Sequence, residues 1–426
     1  MLRYIKIFLL LLLTAQFSAG QKLVNSPYSR LGPGTLEPNG SYKSLGMGRT
    51  GVAYNDPLNI SYQNPASYCS VDTNSFVFDF GIDYRIIVLS DGTEDYQSDD
   101  MNFHHLVMAF PISKKIGFAT GIIPYSSGYY NINLVIDSDH PDYDPIIGET
   151  EAVHKGSGGF NKFFWGLGVN PVGGLSVGAN MTFLFGTINR NNSYRFNDDS
   201  YTFDNISNET VQVQGFNFDL GAQYKHEMKN NIIATAGLSY STSANYKGQT
   251  ENLQALYTGA QSSYDTLSYS ASDNEHITLP GKLALGLALS RKDHFLITAD
   301  YSMSDWTNAV FLGQESFFVK SNSFNFGAEY IPNYNANFNF LNRIAYRLGG
   351  HITDSHLMVD GEQIQEFGIT FGAGLPLRRS NSKINFYFEY GTRGTSHEIN
   401  LHKETFYNFG LSFNFYDYWF LKRKYD

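Results

Sequence analysis

Three short stretches of this 426-residue chain hold side chains that could bind a metal ion or react. The run 137–144 contains four aspartates, but it lacks the glycine and the closing glutamate of a calcium-binding loop. His104 and His105 lie in an alternating stretch that should direct their rings to opposite faces, so they could not share a metal. Cys69 is the single cysteine and has no internal disulfide partner. We therefore predict no metal, no cofactor and no disulfide.

Composition narrows the function classes further. The formal charge of −10 at pH 7 argues against a domain-wide basic surface for nucleic-acid phosphates. The sequence contains no His-Glu-x-x-His zinc motif and no phosphate-binding loop. Aromatic residues make up 16% of the chain, which is too apolar for a disordered protein. We predict a folded protein that is neither an enzyme nor a nucleic-acid binder.

Residues 1–20 have the features of a secretory signal peptide. Arg3 and Lys6 come before an apolar run at 7–13, and Ser18-Ala19-Gly20 supplies small residues at a cleavage position. The apolar run is shorter than the ~20 residues that a membrane-spanning helix needs. The sequence therefore predicts that the mature chain is exported.

A period of two dominates the chain after residue 74. Every even position from Phe76 to Ile86 is apolar, and most odd positions are polar or glycine, as in a strand with one apolar face. The same pattern recurs as far as 404–416. A soluble β-sandwich would also alternate, so the pattern alone does not identify the environment of the apolar face.

Three further features favour a membrane barrel. Aromatic residues crowd the predicted strand ends, from Tyr84 to Trp306 and Tyr390, as in interfacial girdles. The less apolar face is small and rich in glycine, as at Gly221 and Gly286. Short connections alternate with long polar ones, which are predicted at 90–101, 129–159, 190–210, 247–275 and 392–403.

The predicted fold is all-β, an antiparallel transmembrane barrel of about fourteen strands over 71–426. With an even number of strands, the first strand starts and the last strand ends on the same side of the membrane. This is the side of the short turns, which is the periplasm. The predicted strands are 75–89, 102–112, 116–128, 160–170, 174–189, 211–225, 231–246, 276–290, 294–309, 322–332, 341–352, 363–377, 383–392 and 404–416.

Residues 21–70 do not alternate and carry a family resemblance. A glycine-rich run at 45–53 precedes Asn64-Pro65-Ala66 just before the first strand. This order resembles the N-terminal hatch of the FadL family of outer-membrane channels for long-chain fatty acids and hydrophobic compounds. Pro280, Gly286, Asp300 and Trp306 extend the resemblance into the barrel. It implies a hatch in the lumen, with Gly46, Gly48, Arg49, Asn64, Pro65 and Ala66 as its key residues.

Charged residues also fall on the predicted inward face of the barrel. In a dry lumen they need partners, which Arg30, Lys43 and Arg49 of the hatch could supply. Alternatively, they face lumenal water. The predicted lumenal charges are Asp79, Asp83, Arg85, Asp300, Glu329, Arg343 and Arg347.

Pro124 lies in the predicted third strand and is followed closely by Gly128. Proline has no N–H for a sheet ladder, so it favours edges, bulges and strand ends. In the FadL family a kink in the third strand opens a lateral hole, which makes Pro124 and Gly128 candidates for a lateral gate. Alternatively, Pro124 only ends the strand.

The resemblance implies passive uptake of hydrophobic small molecules across the outer membrane of a Gram-negative bacterium. The alternative is a non-transporting barrel that acts as an accessory subunit of an outer-membrane secretion or assembly complex. The basic end 418–426 could contact a periplasmic protein or anionic lipid. Expected partners are outer-membrane lipid, a hydrophobic ligand, and outer-membrane or periplasmic proteins.

Overall fold

The computed structural model describes residues 26–90, 95–140, 143–196, 204–257, 264–336, 339–378, 380–395 and 403–418. The predicted signal peptide and most of the basic end lie outside these ranges. Within the described ranges, no helix has both the length and the apolar character needed to cross a membrane. The described helices are the single α-helical turn Tyr42–Leu45 and the 3-10 helices Pro27–Arg30, Pro65–Ser70, Lys229–Asn231, Trp306–Asn308, Glu315–Phe317 and Leu341–Arg343.

The strands account for most of the chain. They are β1 (Thr35–Leu36), β2 (Ser75–Ser90), β3 (Asp95–Ser113), β4 (Ile116–Ser127), β5 (Tyr130–Ile136), β6 (Thr150–Val172), β7 (Leu175–Phe196), β8 (Asp204–Glu227), β9 (Ile232–Ser241), β10 (Ala244–Tyr257), β11 (Tyr264–Leu279), β12 (Lys282–Arg291), β13 (Phe295–Asp305), β14 (Lys320–Tyr330), β15 (Ala345–Val359), β16 (Glu362–Pro376), β17 (Lys383–Arg393) and β18 (Lys403–Tyr418).

The strands form one closed antiparallel barrel. The first and last long strands pair from Ser75↔Tyr418 to Ser90↔Lys403, which closes the sheet. Three spans of the wall consist of two consecutive strands each, namely β4 with β5, β9 with β10, and β11 with β12. Because β1 belongs to the N-terminal segment, the wall has fourteen spans. The predicted fourteen-stranded barrel is confirmed.

The apolar face of each strand points outward, where lipid would contact it. On β8, Phe216 and Phe218 are 53% and 51% exposed, while Asn217 and Gln223 between and beyond them are buried in the lumen. A soluble core would bury its largest apolar side chains, whereas those on the outward face of these strands are exposed. The outward belt of Phe, Leu, Ile and Tyr is the arrangement that a bilayer requires.

The predicted long loops are wrong over much of their length. Within 129–159, strand β5 takes 130–136 and the first part of β6 takes 150–159, and β7 and β8 extend through the described part of 190–210. Strands β10 and β11 do the same for 247–275. Much of these extensions is polar, as at Asn191, Asn192 and Ser193 of β7, although β5 keeps Ile132, Leu134 and Ile136. Their sequences therefore lose the alternation that marks a membrane strand.

The outer end of the lumen is covered by an apolar cluster, which we call the outer cap. Tyr28 and Leu31 come from the N-terminal segment, and Trp306 and Phe318 come from the connection between β13 and β14. Trp306 was expected in an interfacial girdle, but it is 3% exposed and stacks on His356 with ring centroids 4.2 Å apart. The other core members are Phe160, Leu184, Ile188, Val211, Val213, Tyr246, Ile277, Leu279, Ala309, Phe311, Leu357, Val359 and Ile364.

Candidate functional site in the barrel lumen

Residues 26–74 run through the lumen before the first wall strand, and we call them the inner segment. Its Tyr42 and Met47 have no exposed surface. Inward-facing glycines of the wall lie against it so closely that a Cβ at Gly237 would be 2.3 Å from the Val52 carbonyl oxygen. At Gly349 a Cβ would be 2.2 Å from the Gly48 nitrogen. Equivalent contacts of under 3.3 Å occur at Gly117, Gly168, Gly178, Gly221, Gly286, Gly327, Gly372 and Gly410.

These contacts give a physical reason for the small inward face. The ten glycines lie on β4, β6, β7, β8, β9, β12, β14, β15, β16 and β18, so the inner segment touches the wall around most of its circumference. A side chain at any of them would overlap the segment. The inward glycines therefore mark where the backbone of the inner segment passes.

The residues of the predicted hatch motif lie at these contacts. Gly46 faces Gly372, and the Gly48 N–H donates to Thr370 Oγ1 at 2.8 Å. The Asn64 side-chain amide donates to the carbonyls of Val52, Ala222 and Leu238 at 2.8–3.3 Å, which ties two wall strands to the inner segment. Its Oδ1 accepts the N–H of Ala66, and Pro65 begins the 3-10 helix that follows.

Buried ion pairs hold the inner segment on one side of the wall. Arg49 contacts Glu366 at 2.7 Å and Glu389 at 2.9 Å. Lys43 contacts Asp56 at 2.7 Å and Glu329 at 3.0 Å. Burial alone would raise the pKa of Asp56, but the Lys43 and Lys383 ammonium groups together with hydrogen bonds from Lys43 and the Leu58 N–H outweigh it and hold that pKa well below its usual range. Arg30, the third predicted partner, is exposed.

The structure places six of the seven predicted lumenal charges inside the barrel. Their partners are close: Arg85 contacts Glu37 at 2.7 Å and Asp300 accepts the Gly51 N–H at 2.6 Å. The other four, Asp79, Asp83, Glu329 and Arg347, are buried on inward-facing positions. Arg343 differs, because it lies in the 3-10 helix Leu341–Arg343 before β15 rather than on a wall strand. The prediction began this strand four residues too early.

The predicted orientation of His104 and His105 is wrong. Both rings are buried, and their Nδ1 atoms are 2.8 Å apart. The cause is a bulge: Gly81 pairs with His105, but the next residue, Ile82, pairs with Phe103, which leaves His104 as the extra residue. Both rings contact Tyr42 of the inner segment. No group of three metal-ligating side chains occurs within the described ranges.

The wall ladder is interrupted between β3 and β4. Their pairing runs from Ser113↔Ile116 only as far as Leu106↔Ile122. Just beyond, Pro124 pairs with β6 next to a register shift, and Ser127 pairs with Thr35 of the inner segment. Strand β1 thus occupies the edge of β4 that β3 has left. Gly128 joins β4 to β5 and donates its N–H to Gly158 at 2.9 Å.

A chamber of about 330 Å³ lies between the inner segment and the outer cap. Glu37, Arg49 and Gln63 of the inner segment line part of it, and Pro124 and Tyr125 line its side at the interrupted ladder. The opposite wall carries mostly hydroxyl and amide groups, including those of Thr182, Ser241, Ser302, Ser323, Asn325 and Thr353. Apolar residues such as Ile123, Phe164 and Leu279 also line the chamber, so its surface is about half polar, whereas pockets that take hydrophobic ligands are mainly apolar.

Two side chains that could act as nucleophiles, Ser176 and Cys69, have neighbours that fit a structural role. Residues 174–178 match a Gly-x-Ser-x-Gly pattern that the sequence reasoning missed, but Ser176 lies in a strand and not at a strand-to-helix turn. Its hydroxyl is 3.2 Å from Cys69 Sγ and accepts from Asn170 at 3.4 Å. Cys69 also lies 3.3 Å from the Ala66 carbonyl. These contacts give neither side chain the base that a nucleophile needs.

Comparison with known proteins identifies the family. The BamG family model matches residues 1–426. The chain belongs to the BamG family. No curated protein matches its sequence.

Solved structures similar to this BamG-family chain include outer-membrane channels of the FadL-like fold. The toluene transporter TodX of Pseudomonas putida is 14% identical, with a TM-score of 0.59 over 89% of this chain and 98% of that one. The toluene transporter TbuX of Ralstonia pickettii is 16% identical, with a TM-score of 0.55 over 89% and 98%. A FadL homologue of Pseudomonas aeruginosa is 11% identical, with a TM-score of 0.58 over 89% and 99%. At these identities the likeness supports the predicted FadL-like fold.

Proposed function

We propose that this chain is an outer-membrane barrel that serves as an accessory subunit of a secretion or assembly complex, and that its inner segment acts as a permanent hatch. The observation that carries the proposal is that two parts of the chain, the inner segment and the outer cap, both occupy the lumen. The inner segment contacts glycines around the wall, and the outer cap lies above it. A barrel whose interior is filled offers its surface, rather than its lumen, to other molecules.

The strength of the contacts supports a hatch that stays in place. Arg49 and Glu389 are 16% and 0% exposed, so withdrawing the inner segment would break a buried ion pair. The close backbone contacts at Gly237 and Gly349 add packing that only the present path of the segment satisfies. A hatch that opened in each transport cycle would have to break both kinds of contact.

Purification and conductance together test the proposal. The full chain, tagged after Asp426 and purified from its native membranes in mild detergent, should bring stoichiometric amounts of other envelope proteins. Reconstituted alone in planar bilayers, it should pass little current. A tagged barrel of the same fold with a transport role is the matched control and should purify alone. Recovery of this chain as a lone monomer with large, steady currents would contradict the proposal.

Uptake of hydrophobic compounds is the second candidate function. The interrupted ladder between β3 and β4 favours it, because Pro124 lies where the wall lacks pairing and the chamber reaches the same place. Similar solved structures include a monoaromatic hydrocarbon channel and toluene transporters. Against it, β1 covers the exposed edge of β4, and about half of the chamber surface is polar. Chain-dependent uptake of toluene by intact cells would favour this candidate, and equal uptake by a deletion strain would exclude it for that compound.

A further inference from the structure

Strand β11 has an open edge at the outer end of the barrel. One side of the strand pairs with β10 along its whole length. On the other side, the only pairing within the described residues is a single bridge between Thr278 and Val310. The next wall strand, β13, pairs with β12 and ends at Asp305. The part of β11 before Thr278 therefore has no neighbouring strand on that side among the described residues.

The open stretch of β11 is accessible on both of its faces. Every residue over 265–271 is exposed, and Leu267 and Tyr269 are 56% and 62% exposed. Two register shifts against β10 bracket regular pairing over 268–272. The strand contains neither proline nor lysine, two residues that natural proteins place on sheet edges to prevent further pairing. Another strand could therefore approach this edge.

The ladder between β10 and β11 shows which backbone groups face the open side. Thr278 exchanges two backbone hydrogen bonds with Val310, both at 3.0 Å, so its N–H and carbonyl point away from β10. Hydrogen-bonded and non-hydrogen-bonded pairs alternate along an antiparallel ladder. Strand β10 is regular, since it pairs with β8 without a register shift. Counting along it from Asn245, which lies opposite Thr278, gives Tyr269 and Ala271 the same outward direction.

The chemistry of this edge selects an extended strand with basic side chains. Outward N–H and carbonyl groups in a row are matched by the backbone of another extended chain. The β10–β11 hairpin carries four carboxylates against one lysine, namely Glu251, Asp265, Asp273 and Glu275 against Lys247. Opposite charges across a strand pair stabilise it, so an added strand should carry lysine or arginine.

A second copy of this chain does not match the edge. Two barrels in one membrane have the same orientation, so their β11 strands would run in the same direction. Parallel pairing is the slightly less stable arrangement, and the tilt of barrel strands would make the two edges cross. A second copy would also bring the same excess of carboxylates. An extended segment of a different protein has none of these restrictions.

We propose that the open edge of β11 binds an extended, basic segment of another envelope protein, which adds a strand to the outer end of the barrel. Tyr269 and Ala271 supply the backbone groups, and Asp265 and Asp273 contact basic side chains of the added strand. This inference rests on the proposed accessory-subunit function and names the place where a partner binds.

Photo-cross-linking in intact cells tests the location. Benzoylphenylalanine in place of Tyr269 should form a cross-link to one other envelope protein, and the cross-linked peptide should contain lysine or arginine. The matched control places the same group at Tyr194, an exposed tyrosine of β7, which has paired strands on both sides. That position should form no such cross-link. Cross-links to a second copy of this chain, an acidic cross-linked peptide, or equal cross-linking from both positions would overturn the proposal.

Two variants of Ala271 separate backbone pairing from a side-chain contact. Ala271→Pro removes the N–H on the open side and leaves the bonds with β10, so the cross-link from position 269 should be lost. Ala271→Thr enlarges the side chain but keeps the N–H, so the cross-link should remain. Both variants should keep the heat-modifiable gel migration of a folded barrel. Cross-linking of Ala271→Pro at the wild-type level would refute strand addition.

Purification from the same cells separates this inference from the accessory-subunit function. If the tagged chain brings stoichiometric partners but position 269 forms no cross-link, the partners bind elsewhere and only the assignment to β11 fails. If the chain purifies alone and position 269 forms no cross-link, both proposals fail.

Discussion

The two sides of the lumen hold the inner segment in different ways. On the charged side, formed by β2 and β14–β18, buried ion pairs such as Arg49–Glu366 and Lys43–Glu329 fasten it. Glycine contacts occur on both sides, but on the hydroxyl side, formed by β7–β9, β12 and β13, no ion pair joins the segment to the wall among the described residues. There the segment meets glycines, as at Gly237, and donates backbone N–H groups to Asp300. The chamber lies against the outer part of the hydroxyl side and extends to Ser323, Asn325 and Thr353 of β14 and β15.

The difference shows how one barrel can be both filled and partly open. A charged pair fixes the position of a segment at one point, whereas an array of glycines lets a backbone pass closely without fixing a side chain. Small hydroxyl side chains then leave space above the contact. The charged side therefore anchors the inner segment, and the hydroxyl side shapes the chamber.

Removing the inner segment would abolish the contacts of both sides at once. A chain lacking residues 21–70 should still insert as a barrel, because its wall ladder closes between β2 and β18 without those residues. We expect large, steady ion currents in planar bilayers, against little current for the intact chain. Equal, low conductance of the two proteins would show that the segment does not close the lumen.

Arg49→Met removes contacts of the charged side alone. It leaves Glu366 and Glu389 with one cation fewer in a buried site, which should lower the free energy of unfolding by about 3–5 kcal/mol. Urea unfolding followed by gel migration would measure the loss. Arg195→Met is the control, because Arg195 is 66% exposed and its pair with Glu151 should contribute less than about 1 kcal/mol. Similar losses in both variants would remove the distinction between the two sides.

Gly237→Ala disturbs the contacts of the hydroxyl side by adding one Cβ. That atom would lie 2.3 Å from the Val52 carbonyl oxygen, so the inner segment must shift. Overpacking of this kind costs about 1–3 kcal/mol, less than the loss of Arg49. Gly173→Ala is the matched control, since nothing lies within 4 Å of a Cβ there. Unchanged unfolding of Gly237→Ala would mean that the segment is not held on this side.

The sequence predicted the wall better than the chamber. Period-two alternation marks each membrane strand because one face must meet lipid, and the inward glycines are visible in the same pattern. The sequence also contains a pattern typical of the hydroxyl side. On each of two strands, serines occupy alternate positions: Ser239 and Ser241 on one, Ser302 and Ser304 on the other. Without the register between strands, however, nothing in the sequence brings those serines to one chamber.

Two other features could not be obtained from alternation. The bulge at His104 reverses the expected direction of one ring, and a bulge depends on how β2 and β3 pair. Several strand extensions, such as 204–210 at the start of β8, are mostly polar, so they resemble loops. Both errors have the same origin: alternation reports the environment of a face, and not the hydrogen-bond ladder.

Pro124→Val makes the smallest expected change and sharpens the comparison at the boundary between the two sides. Valine restores an N–H and a β-branched side chain that suits a strand, so we expect a change of less than about 1 kcal/mol in unfolding and normal gel migration. Under the accessory-subunit proposal, the variant should capture the same partners as the wild type. If hydrophobic compounds instead pass through the interrupted ladder, the variant should lose uptake while retaining its fold. Wild-type uptake by Pro124→Val would therefore exclude a lateral gate at this residue, and loss of partner capture would mean that this part of the wall is itself the docking surface.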